Sequence, residues 1–170
     1  MPINVFVSVG CKSAPIQEEF IASIERHLAD KGLRPRTVGR NEFTHGQPLR
    51  FVNQLMDRSA GALVIALERI SIRDGIERRG TSEERSICDE AIATPWNQIE
   101  AALAYAKRMP LMVVKENTVR PEGLLERHHD WYVHSTGLDP GFVRSTAFRE
   151  TFDSWLHDVR RRAGWFRFRA

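Results

Sequence analysis

The chain of 170 residues is 42% hydrophobic and 28% charged, the make-up of one globular domain with enough apolar material to bury a core without disulfides or a structural metal. Its 25 Lys and Arg against 22 Asp and Glu leave a formal charge of only +3, too small a surplus to mark a polyanion-binding surface, so no nucleic-acid partner is expected. The two cysteines, Cys11 and Cys88, are far apart and lack CxxC or Cys/His ligand spacing, which argues against a zinc site or a disulfide framework and favours a reducing cytoplasm.

Ile3 to Val9 is a β-branched and aromatic run ending at Gly10, the pattern of a buried strand. Ile16, Phe20, Ile24 and Leu28 recur every fourth position and predict a helix that Lys31-Gly32 ends. Leu33 to Val38 reads as a second strand, with Pro35 tolerated near its start or at a sheet edge. Gly39 to Gln47 is a polar loop with Phe43 as its one large apolar residue, and Pro48 leads into a helix striped by Leu49, Val52 and Met56. The apolar hexamer Ala62 to Leu67 predicts a central strand covered on both faces.

Residues 71–93 mix charges with little periodicity and read as a solvated, mobile insertion. Thr94-Pro95 is a side-chain cap followed by a proline suited to the first helical position, predicting a helix to about Arg108. Pro110 to Val114 is another buried strand and Trp131-Tyr132-Val133 a short edge strand. Phe148, Phe152, Trp155 and Val159 stripe a final helix within about 141–170, which ends in a basic aromatic tail. Strands alternating with helices predict an α/β domain spanning 1–170. Its central, mostly parallel sheet of about five strands has helices on both faces, and ligands bind beyond the strands' carboxyl ends.

No positive segment followed by an apolar run and a cleavage site opens the chain, so no secretory leader is expected. The longest apolar runs are far short of the ~20 residues that cross a bilayer, so no membrane partner is expected. The six histidines form no HxxxH or HExxH pattern, and no metal site is expected. Arg160 to Arg169 interleaves cations with Trp165, Phe166 and Phe168. Such a tail can stack on bases, but it also fits a solvated helix end, a fold-back on the core or a subunit contact.

The strand ends bring together Ser8, Gly10 and Lys12, then Arg40 and Phe43, then Glu68, with Glu100 on the following helix. The loop Ser8 to Ser13 offers small residues and a cation that can hold a phosphate, although it is neither a Walker motif nor GxGxxG. Trp96 and Glu100 stand four apart and share a helix face. A carboxylate fixed beside an indole can stabilise the oxocarbenium-like sugar formed when an N-glycosidic bond breaks, hold ribose hydroxyls, or attack the anomeric carbon. The same pattern also fits a core tryptophan and a solvated helix glutamate.

Val5-Phe6-Val7-Ser8, the loop from Phe43 to Gly46 with the helix after it, the strand Ala62 to Leu67, and Thr94-x-Trp96-x-x-x-Glu100 before Leu111 to Val114 occur in an order that resembles Toll/interleukin-receptor (TIR) domains. The last motif resembles the family signature S-x-W-C-x-x-E. The resemblance covers about residues 3–115 and implies a flavodoxin-like, TIR-like three-layer fold. It further implies cleavage of NAD at its nicotinamide–ribose bond by Glu100, with Trp96 beside it and Phe43 near the nicotinamide end. NAD is then a substrate, and no cofactor is expected.

Three features depart from the family: Val9-Gly10-Cys11-Lys12 replaces the usual aromatic and acidic continuation, Asn97 stands where cysteine is frequent, and 71–93 has no obvious counterpart. Asn97 to Ala106 also resembles the catalytic-glutamate helix of nucleoside 2-deoxyribosyltransferases, which act on the same bond type. By family analogy, a TIR-like enzyme of this kind acts in bacterial defence or signalling and is activated by self-association or a partner protein. A non-catalytic signalling scaffold and a nucleotide sensor remain the competing classes.

Overall fold

The computed structural model describes residues 1–11, 13–127 and 130–167, the last three by their backbone. In chain order the elements are β1 (Ile3–Ser8), α1 (Pro15–Asp30), β2 (Leu33–Arg36), α2 (Pro48–Asp57), β3 (Ala62–Ala66), β4 (Ile70–Glu77), β5 (Arg85–Ile92), α3 (Pro95–Ala106), β6 (Leu111–Glu116), β7 (Tyr132–Thr136) and α4 (Thr146–Arg167). Five strands form one parallel sheet in the order β2-β1-β3-β6-β7. That is the doubly wound, flavodoxin-like order, and it reverses direction between β1 and β3. The α/β class and the five-stranded parallel sheet are as the sequence predicts.

Alternation along the strands divides the core into two layers. Val5, Val7, Leu63, Ile65, Met112 and Val114 pack against α1 and α4 through Phe20, Ile24, Phe148, Phe152 and Trp155. On the other face, Phe6, Ala62, Val64, Ala66 and Val113 pack against α2 and α3 through Val52, Met56, Ala101 and Ala104. Every residue of β3 is buried, which explains why that strand is a continuous apolar run rather than an alternating one. On the second face Ala62 and Ala66 share their cluster with Ala101 and Ala104, and small residues on both elements let α3 lie close to the sheet.

Several boundaries differ from expectation. The second strand stops at Arg36 as an edge strand that accommodates Pro35. Ile16 and Leu49 fit the helical spacing but sit in first turns, 55% and 50% exposed. The core-facing stripes are instead Phe20, Ile21, Ile24 and Leu28 on α1, and Val52, Leu55 and Met56 on α2.

The segment read as an irregular insertion at 71–93 is a two-stranded antiparallel ribbon, β4 with β5, outside the main sheet. Ile70, Ile72 and Ile76 do alternate, and three of the ribbon's charges, Glu77, Arg85 and Glu90, are engaged rather than merely solvated. Arg120, from the loop after β6, donates a hydrogen bond to Glu77 at 2.6 Å and ion-pairs with Glu90 at 3.1 Å, and Arg85 pairs with Glu77 across the ribbon. Backbone bonds from Ala91 to Thr118 and from Arg120 to Ala91, both 2.9 Å, fasten the ribbon to that loop. The helical backbone of α4 reaches Arg167; the side chains of Trp165 and Phe166, and all of Phe168, lie outside the described residues. No helix of the described residues is long and apolar enough to cross a membrane.

Candidate active site

The first turn of α3 is set by Thr94, whose hydroxyl accepts the Trp96 N–H at 3.4 Å, and by Pro95, which lacks the donor that this position leaves unused. One turn further on, Glu100 lies on the sheet side of the helix at 7% exposure. Beneath it is Ser8, the last residue of β1, at 1%. Burial pushes the Glu100 carboxyl up to about 7, opposed by a hydrogen bond from the Ser8 hydroxyl. A carboxyl with its midpoint at neutral pH can hold or release a proton under working conditions, which an ordinary surface glutamate does not do.

Asn97 completes the cluster at 1% exposure. Its Nδ2 donates to Ser8 Oγ at 2.9 Å and reaches the Ser8 and Ile65 carbonyls at 3.4 and 3.5 Å. The N-terminus of α3 is thus tied to the carboxyl ends of both β1 and β3.

Two adjoining cavities open here and share Gly10, Cys11, Thr94 and Trp96. The smaller, about 150 Å³, has apolar walls of Val9, Val38, Pro48 and Val52, with Glu100 in its lining. The larger, about 360 Å³, lies between the loop after β1 (Gly10, Cys11, Ser13) and the loop after β3 (Leu67, Glu68, Arg69). This is where strand order reverses and where folds of this type bind ligands. Trp96, 40% exposed, forms part of both walls.

The loops around the opening are braced from behind. Gln17 Nε2 donates to the Glu68 carbonyl at 3.0 Å and to Glu116 at 3.3 Å, while the same Glu116 oxygen accepts the Glu68 N–H at 2.8 Å. On the other side, Cys11 packs against Gly39, which has φ +80° and where a Cβ would collide with the Cys11 sulfur. A left-handed backbone and a close neighbour both favour glycine there.

Of the residues singled out in the sequence, Glu100, Trp96 and Gly10 meet at the cavities and Ser8 lies under Glu100. Lys12 lies outside the described residues. Arg40 is directed elsewhere, with two bonds to Glu18 on α1 at 3.0 and 2.7 Å and a looser approach to Glu25 at 3.9 Å. That bond holds the Glu18 carboxyl below its ordinary value. Phe43 is 70% exposed on its loop and lines neither cavity. Glu68 lines the larger cavity. Cys11, Gln17 and Arg69 also line it without having been singled out, and Asn97 was visible only as a departure from the TIR signature. Leu124 and Trp131 pack against α3: Gln98 accepts the Leu124 N–H at 3.0 Å, Trp131 donates to the Leu124 carbonyl at 3.2 Å, and its ring meets Tyr105 edge-on.

No protein-family model matches the chain, and no curated protein matches it. Among solved structures, the chain is similar to the TIR domains of the activated Roq1 resistosome that directly recognises the pathogen effector XopQ. The likeness is 12% in sequence identity with a TM-score of 0.43, covering 95% of this chain and 84% of that one. The fold class given above rests on this chain's own strand order and register.

Proposed function

We propose that this chain cleaves the N-glycosidic bond of NAD or a related pyridine nucleotide, with Glu100 acting at the anomeric carbon. The observation that carries this reading is the placement of one buried carboxyl, held at a midpoint near 7, in the lining of an apolar compartment at the strands' carboxyl ends beside a half-exposed indole. A cavity of about 150 Å³ suits a single flat aromatic ring, so the departing base occupies it against Trp96. The ribose and phosphates then extend past Gly10 into the larger cavity.

In the reaction the C–N bond to the pyridinium breaks, and its electron pair leaves with the ring as a neutral base, so no acid is needed at the leaving group. The sugar becomes oxocarbenium-like, and the Glu100 carboxylate stabilises that charge or bonds to the anomeric carbon. Water then forms the new C–O bond and gives up a proton; attack by another part of the nucleotide instead makes a cyclic product. Defence or signalling, with activation by self-association, is the role that the TIR resemblance implies for such an enzyme.

The test is incubation of concentrated protein with NAD, and separately with deoxynucleosides plus a free base, with chromatographic detection of released base and Glu100→Gln as control. Nicotinamide release that the variant lacks supports the proposal. Base exchange assigns the transferase reaction instead. A folded protein silent in both arms, including when crowded, overturns the enzymatic reading in favour of a scaffold or nucleotide sensor.

A further inference from the structure

Asn97 is an unexpected residue for its place. It stands in the first turn of α3 on the face packed against the sheet, 1% exposed, where a polar side chain is costly unless every group is satisfied. Its surroundings fix the orientation of its amide. Two of the three oxygens within reach are the Ser8 and Ile65 carbonyls, which only accept, so the NH₂ group must face them. The third, Ser8 Oγ at 2.9 Å, therefore accepts from Asn97 and cannot donate to it. The Ser8 proton has to be used elsewhere, and the Glu100 carboxyl, buried one turn further along α3, takes a hydrogen bond from that hydroxyl.

We infer that Asn97 is a positioning residue: by occupying the acceptor side of the Ser8 hydroxyl, it turns the Ser8 proton onto the Glu100 carboxylate. The hydrogen bonds then run in one direction, from the Asn97 amide to the Ser8 hydroxyl to Glu100. A free hydroxyl rotor divides its time among several acceptors, whereas a held one delivers its bond to the carboxylate continuously and favours the ionised form. Asn97 and Glu100 are both on α3 and Ser8 is at the end of β1, so the arrangement also requires the helix to be seated on the sheet. The catalytic consequence rests on the reading of Glu100 given above; the hydrogen-bond direction does not.

The test reads the ionisation of Glu100 itself, by pH titration of the side-chain carboxyl ¹³C signal in glutamate-labelled protein, assigned by its loss in Glu100→Gln. Ser8→Ala is expected to raise the Glu100 midpoint by about one pH unit. Asn97→Leu should raise it in the same direction by no more than that, and the double variant should match Ser8→Ala alone, because both changes remove the same bond. Should Asn97→Leu not fold, Asn97→Ala carries the comparison.

A midpoint unmoved by loss of the Asn97 amide, or effects of the two changes that add, overturns the proposal. A merely structural Asn97 would lower the melting temperature and leave the midpoint in place. If the protein releases no base from NAD, the function proposed above fails while this titration still decides the role of Asn97. If it does release base, the acid limb of the rate profile should move with the midpoint.

Discussion

Replacing Glu100 with glutamine keeps the shape of the side chain and removes a charge that the fold disfavours. The carboxyl moves from an ordinary 4.5 to about 7 on folding, because burial penalises the ionised form. Between those values the folded chain holds a proton that the unfolded chain has lost. Stability therefore falls as pH rises through this window, is flat above it, and is free of the penalty below it. A rise of about 2.5 pH units at 1.36 kcal/mol each corresponds to about 3 kcal/mol at pH 8. Glu100→Gln avoids that cost, and all other titrations are common to both proteins, so the difference between them isolates this one group. The variant should match the parent near pH 4.5 and exceed it at pH 8. At about 2–4 °C per kcal/mol for a domain of this size, the gain in Tm is about 6–12 °C. Thermal melts followed by circular dichroism at pH 5, 6, 7 and 8, with urea unfolding at the two ends, measure it. Equal melting temperatures at pH 8, or a difference that grows towards acid, would show that Glu100 ionises like a solvated carboxylate and would refute the burial argument.

The same group should shape the rate profile. With NAD as substrate, kcat/KM for nicotinamide release should climb about tenfold per pH unit up to about 7 and then level, since the carboxylate is the working form. A neutral nucleoside, whose base leaves more readily when protonated, would give the opposite limb, and a flat profile from pH 5.5 to 8.5 would count against Glu100. Gly39→Ala should cost about 1–3 kcal/mol in urea unfolding, because the position has φ +80° and the new methyl meets the Cys11 sulfur. Adding Cys11→Ala should restore part of that loss, and no recovery would mean that backbone strain alone is responsible. Arg120→Ala removes the bonds to Glu77 and Glu90 and should speed hydrogen exchange along β4 and β5 while leaving β1 and β3 protected. Unchanged exchange in the ribbon would mean that its backbone bonds to residues 118–120 suffice.

The parts of the fold that could be read from sequence are those whose environment is uniform. Ala62 to Leu67 is apolar throughout because β3 is covered on both faces, and the stripe Phe148, Phe152, Trp155 and Val159 lies wholly in one core layer. The ribbon was missed because its backbone is hydrogen-bonded to the loop at 118–120 rather than to a strand of the main sheet, and because Gly75 and the left-handed Asp89, φ 52°, interrupt its alternation. Ile16 and Leu49 misled for the opposite reason: helical spacing identifies a stripe but not the turn at which the sheet ends. Arg40 was drawn to Glu18, 22 residues away in the chain, and no local pattern shows which of two uses a guanidinium will take.

The site divides along the same line. Helical spacing is enough to put Trp96 and Glu100 on one face, and strand-end logic is enough to put Ser8 and Gly10 near them. The chemistry of Glu100, however, depends on how closely α3 approaches the sheet. That distance follows from small side chains on both elements: Ala101 and Ala104 belong to the same buried cluster as Ala62 and Ala66. A larger residue at any of these four positions would lift the helix, admit water to Glu100 and return its carboxyl towards ordinary acidity, although none of the four lines either cavity. Asn97 depends on the same seating, since its partner Ser8 is 89 residues away and comes within 2.9 Å only when α3 is down. The identity of the acid is therefore a local property of the sequence, while its protonation state at neutral pH is a tertiary one, set by burial under α3 and opposed by the Ser8 hydroxyl at the end of β1.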